Sequence, residues 1–182
     1  MGRIGRRSSG EGSSGRASNS ARRVAVGKRH QARELALKVL FQLEGTGQGG
    51  SAGGSALRDH PREGGESPPQ DDAEDVLLYH AAENGATEEI TNFARALVRG
   101  VLDNQERLDA ILSEASEHWR LEQMAKVDRV ILRIAVYEIA IDRKVPPKAA
   151  INESIELAKT FSGDEAGRFV NGILGRVAAT AT

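Results

Sequence analysis

Apolar residues recur along this chain at helical spacing, in blocks separated by recognisable stops. Ala32, Leu35, Ala36, Val39, Leu40 and Leu43 form one stripe between His30 and Glu44, the signature of a helix with one buried face. A short helix is predicted from Asp71 through Val76, Leu77, Leu78 and Ala81, interrupted near Asn84-Gly85. Thr87 is the expected N-cap of the next, with Glu88 and Glu89 in its first turn, where they complement the helix dipole. Ile90, Phe93, Ala94, Leu97, Val98 and Val101 give that helix its stripe, and Gly100 within it marks a kink or a close approach of another helix. Leu108, Ile111, Leu112 and Ala115 follow, and Trp119, Leu121 and Met124 lead into the strongest helix, Val127 to Ile141. Pro146-Pro147 end that segment, because proline lacks a donor and restricts the residue before it. An amphipathic stretch runs to about Phe161 and closes at Ser162-Gly163; a last one aligns Phe169, Val170, Ile173, Leu174 and Val177. No segment alternates with period two. The pattern predicts an all-α bundle of about seven helices joined mostly by short loops.

Composition sets off two stretches from this pattern. Residues 1–27 are rich in Gly, Ser and Arg without apolar periodicity, so they are expected to form a disordered basic tail. Six of the ten residues from Gly45 to Gly54 are glycine, and an acidic, proline-containing stretch continues to about Gln70. Residues 45–70 thus read as a flexible insertion between two helices of a domain spanning 28–182. The net charge of −1 conceals an asymmetry: the first 33 residues carry nine Arg and Lys against Glu11 alone, about +8, leaving about −9 for the remainder. A basic arm on an acidic body suits contact with nucleic acid, and equally a tail that only aids solubility. The chain has no cysteine, which excludes disulfides and thiolate metal sites. It has no apolar run of the roughly 18 residues a membrane span needs, nor a secretory apolar segment. A cytoplasmic protein is expected.

Candidate chemistry is sparse. Arg22, Arg23, Lys28, Arg29, His30 and Arg33 precede or open the first helix, where basic residues attract phosphate irrespective of sequence. Arg168 beside Phe169 pairs a cation with an aromatic ring, as single-strand RNA readers do, although Phe169 also fits the stripe of Val170 and Ile173 as ordinary core. Gly172 is expected to permit a close helix contact. Asp128, Arg129 and Arg133 read first as a solvated face. Asn152, Glu153 and Glu156 lack a nearby histidine, so a metal site is not expected, and Asn152 and Glu153 are read as capping or linking backbone at the Pro146-Pro147 entry. The four histidines show no ligand spacing, and no phosphate loop or nucleophile elbow exists. No catalytic residue, metal or cofactor is assigned.

Four short runs in order resemble one known family. Asp128-Arg129-Val130-Ile131-Leu132-Arg133, Ala150-Ile151-Asn152-Glu153, Glu156-Leu157-Ala158-Lys159 and Arg168-Phe169-Val170-Asn171-Gly172 closely resemble the NusB family of bacterial transcription antitermination factors. The resemblance covers His30 to Glu44 and about Thr87 to Val177, and omits the tail and most of the insertion. It implies two small, packed helical subdomains, each of three-helix type. It implies a non-enzymatic adaptor that, with the ribosomal protein NusE, binds the boxA element of nascent ribosomal RNA transcripts and helps RNA polymerase pass terminators within an antitermination complex. By the same resemblance the arginine-rich start, running into Ala32-Arg33-Glu34, contributes to RNA binding, and Phe41 and Asp128 occupy partner-contact positions facing NusE. Two other classes stay open. A NusB-like domain precedes the catalytic part of some ribosomal RNA cytosine methyltransferases, but no cysteine is present and no methyltransferase domain is expected after Thr182. A helical interaction module without an RNA role is the third reading.

Overall fold

The structure, a computed structural model, describes residues 14–46, 69–116 and 119–180, with side chains described from residue 27 and, after the first break, from residue 73. Within them seven α-helices and no strand are found: α1 (Ser14–Thr46), α2 (Pro69–Glu83), α3 (Glu88–Asp103), α4 (Gln105–Ala115), α5 (Lys126–Val136), α6 (Pro147–Ser162) and α7 (Asp164–Thr180). A 3₁₀ turn at Leu121–Gln123 precedes α5, and a π-helical stretch, Tyr137–Asp142, extends it. The helices sort into two groups. α1, α2 and α3 pack on one another, α4 to α7 form the second set, and α5 joins the two through α1 and α3.

The predicted stripes are the buried faces. Ala32, Leu35, Ala36, Val39 and Leu40 of α1 are buried, as are Ile90, Ala94, Leu97, Val98 and Val101 of α3. The hydroxyl of Thr87 accepts from the Ile90 N–H at 3.5 Å, a long bond at the cap position the sequence indicated. Eight of the eleven residues of α5 are buried; a helix apolar on most sides belongs in the middle of a molecule, and α5 lies there. α6 and α7 form an antiparallel hairpin around Gly163, whose φ of 95° is disfavoured for any residue with a Cβ. Gly100 lies under the ring of Tyr137, in the space a Cβ would occupy, so close approach and not a kink is its role.

Three local expectations are corrected. α1 starts at Ser14, well upstream of the apolar stripe. Arg16 to Val26 contain neither glycine nor proline, and extending an existing helix costs far less than nucleating one. Glu153 does not cap the entry of α6: its carboxylate accepts from His30 of α1, while Asn152 is exposed and Pro147 itself opens the helix. A Cβ on Gly172 would meet nothing within 4 Å, so this glycine serves no helix contact. The tail to residue 13 and the insertion between 47 and 68 lie outside the described residues.

Candidate functional site

The basic positions of α1 divide by depth. Arg33 is 2% exposed and its guanidinium grips Glu138 twice, Nε to Oε2 at 2.9 Å and Nη2 to Oε1 at 2.7 Å. Its charge also faces Glu153 at 3.8 Å and the ring of Phe93 at 5.7 Å. Arg33 is therefore corrected from a phosphate contact to an internal ion pair. It shares the face of Ala32, Ala36 and Leu40, which the packing of α1 turns inward. His30, half-buried, places Nδ1 2.8 Å from Glu153. Lys28 meets Glu89 of α3 at 2.5 Å on the surface. Arg29 is exposed and has no acidic partner among the described residues. Arg22 and Arg23 lie further up α1, and their side chains fall outside the described residues.

The second expected element is on α7. Ala166, Gly167, Val170, Ile173, Leu174 and Val177 face inward, so Arg168, Asn171, Gly172 and Gly175 look outward. Phe169 stands at the border, half-buried, with its ring edge-on to Trp119 at a centroid distance of 5.9 Å and an interplanar angle of 82°. It is neither ordinary core nor a free ring. Trp119, expected to lead apolar sequence into α5, is 54% exposed.

On another part of the surface, the end of α1 meets the start of α5. Phe41 is 43% exposed, and the Lys126 ammonium sits 4.2 Å above its ring centroid. Three residues on, Glu44 accepts from Arg129 at 3.0 Å and from Arg133. Arg133 is held at its other edge by Asp109 of α4, with two bonds of 2.7 Å. The solvated face expected of Asp128, Arg129 and Arg133 is thus corrected: Arg133 is 7% exposed and clamps α1, α4 and α5 together. Burial pushes its guanidinium down more than any single neighbour raises it, yet Asp109 and Glu44 together hold it above the ordinary arginine range. Asp128 is 8% exposed, because it shares its face with Ile131 and Leu132, three and four positions on. Its Oδ1 is buried and accepts no hydrogen bond from any described group. Phe41 therefore lies open, beside the helical turn that carries Asp128, while Asp128 itself is sunk beneath that surface. The sequence offered one clue to these internal charges. Arg133 and Glu138 interrupt an otherwise apolar run, where only a buried partner makes a charge tolerable.

Among the described residues no three acidic or histidine side chains are grouped to hold a metal, and no helix is long and apolar enough to cross a membrane. Glu153 and Glu156 act instead in ion pairs, with α1 and with Lys159.

Comparison with known proteins adds the family. The sequence profile of the NusB family matches residues 30–179. The transcription antitermination protein NusB of Symbiobacterium thermophilum is 44% identical over 151 residues, covering 82% of this chain and 88% of that protein. Its counterpart from Bacillus subtilis is 37% identical over 151 residues, covering 82% and 94%. A crystal form of T. maritima NusB is 30% identical, with a TM-score of 0.62 over 83% of this chain and 90% of that one. A crystal structure of the antitermination factors NusB and NusE in complex with double-stranded RNA, 19% identical, shares the fold with a TM-score of 0.66, covering 84% and 97%.

Proposed function

The chain belongs to the NusB family, and on that premise we propose that it is a transcription antitermination factor. It acts as a non-catalytic adaptor that binds boxA-type single-stranded RNA together with NusE, in an RNA polymerase antitermination complex. The observation that carries this reading is the span of the family match, which starts at His30, where the α1 stripe begins, and runs through α7. NusB proteins that share this fold include one crystallised with NusE and RNA.

Surface chemistry supports a division of labour. Lys28, Arg29, the upstream Arg22 and Arg23, and His30 form the basic approach on α1, and Arg168 with Phe169 the edge of α7. Basic side chains supply affinity for the phosphate backbone, and contacts to base faces and edges supply preference. Arg33 serves this surface indirectly, by fixing α1 against the π-helical stretch. Phe41 and Asp128 are assigned to the NusE surface. A half-exposed aromatic ring is a fitting interface anchor, and the nearly buried Asp128, in the helical turn beside it, lends negative charge to that surface from beneath.

The test is a titration of the protein with a boxA-type RNA and with a scrambled RNA of equal length, at several salt concentrations, with and without NusE. The adaptor reading expects preference for boxA, stronger when NusE is present. Equal, weak and wholly salt-driven binding of both RNAs in all conditions would reduce the chain to an unspecific basic module.

A further inference from the structure

Trp119 is the single tryptophan of the chain, and it is left more than half exposed. A tryptophan is among the most costly side chains to leave in water, since its ring can bury on the order of 150–250 Å². The backbone beneath it is nevertheless held in place. The Trp119 backbone N–H donates to the carbonyl of Ser116 at 3.0 Å, and the Ser116 hydroxyl donates back to the Trp119 backbone carbonyl at 3.0 Å. Ser116 is 4% exposed, so the Trp119 backbone is anchored in the protein. On one side the indole meets Phe169 edge-on. Arg120 follows it in sequence, Arg168 precedes Phe169, and both arginines are exposed.

From this arrangement we infer that Trp119 is a stacking platform for one unpaired base of bound RNA, with Phe169 as its back wall and Arg168 and Arg120 facing the flanking phosphates. A flat, rigid, half-open aromatic surface takes a base of any identity on its face, and stacking of this kind contributes about 1–3 kcal/mol per base in single-strand binders. Cationic neighbours favour a polyanion over an apolar protein segment, which would leave both guanidinium groups to be desolvated without partners. The inference rests on the RNA-binding reading above and assigns to it a residue outside both the α1 arm and the α7 edge.

The experiment uses the full chain and an end-labelled, single-stranded boxA-type RNA. Binding is read twice, by anisotropy of the label and by the indole emission, which has Trp119 as its one source. Quenching of that emission in step with the anisotropy is expected. Trp119→Ala is expected to weaken binding about tenfold with the salt slope unchanged, since every cation that faces a phosphate stays in place. Trp119→Phe is expected to retain most of the affinity, and it keeps the test decisive should the alanine variant fold poorly. An anisotropy rise without quenching, and with equal affinity in the alanine variant, would overturn the platform and leave the RNA-binding reading intact. Quenching by NusE alone and not by RNA would assign the ring to a protein contact and likewise overturn it. No anisotropy rise with or without NusE would end both readings.

Discussion

Arg33 and Glu138 are 105 positions apart, yet each is the other's reason for being buried. Removing one leaves an uncompensated charge in the interior, which typically costs about 3–5 kcal/mol. Arg33→Ala is therefore expected to lower the urea midpoint by a corresponding amount. Arg33→Met combined with Glu138→Leu is expected to recover most of it, because two apolar groups of similar volume need no partner. A solvated arginine would give no such recovery, since its single substitution would cost almost nothing. This residue also marks a limit of reading charge from composition. Nine basic residues before position 34 look alike in sequence, and only the phase of the α1 stripe distinguishes one that points inward. Glycines make the same point in reverse. Gly100→Ala would drive a methyl group into the ring of Tyr137 and is expected to destabilise by about 1–3 kcal/mol. Gly172→Ala meets nothing and is expected to stabilise α7 by roughly 0.5–1 kcal/mol. Thermal unfolding of the two variants should move in opposite directions.

Helices were legible where their burial is periodic. The stripes of α1, α3, α4 and α7 and the cap at Thr87 follow from spacing alone, as do the breaks at Pro146-Pro147 and Gly163. The upstream turns of α1 have no apolar stripe to announce them. The π-helical stretch was invisible for another reason. It begins at Tyr137 and Glu138, the two side chains that meet Gly100 and Arg33, and those are contacts between distant segments. Neighbouring elements are also tied by partly buried charge, as where Glu74 of α2 accepts from Arg95 of α3 at 2.8 and 3.0 Å, with Arg99 nearby. The bond from Arg95 holds the Glu74 carboxyl below the usual carboxylate range, against a weaker opposing effect of burial. A carboxylate more acidic in the folded than in the unfolded state stabilises fully above its unfolded value, and the stabilisation is lost as pH falls through the folded one. Glu74→Gln is accordingly expected to lower the thermal midpoint slightly at neutral pH and not at strongly acidic pH. A difference that persists undiminished into acid would show that the bond matters through geometry and not through charge.

For the molecule as a whole, the two assigned surfaces involve different ends of the described α1 side chains: Lys28 and Arg29 near the first, Phe41 several turns later beside α5. Rigid helices keep them apart, so their functions should separate by mutation. Neutralising Lys28 and Arg29 together is expected to flatten the salt dependence of RNA binding by roughly one unit for each phosphate no longer neutralised, with little change in thermal midpoint. Arg33 has no place in that variant, because its loss would unfold what the assay needs. The NusE surface requires a gentler substitution than charge reversal, because a lysine in place of Asp128 would itself be buried. Asp128→Asn keeps the volume and removes the charge, and Phe41→Ala removes the ring. Each is expected to weaken NusE binding, Phe41→Ala through the lost anchor and Asp128→Asn more mildly through the lost negative charge beneath that surface. RNA binding by the free protein should stay within about twofold, on the order of 0.4 kcal/mol. Isothermal titration with NusE and anisotropy with RNA, run on the same preparations, check the separation. Unchanged NusE binding in both variants would leave Asp128 as an internal residue and Phe41 as an ordinary exposed ring. A parallel loss of RNA affinity in the absence of NusE would mean that the two surfaces are coupled through α1 and not independent.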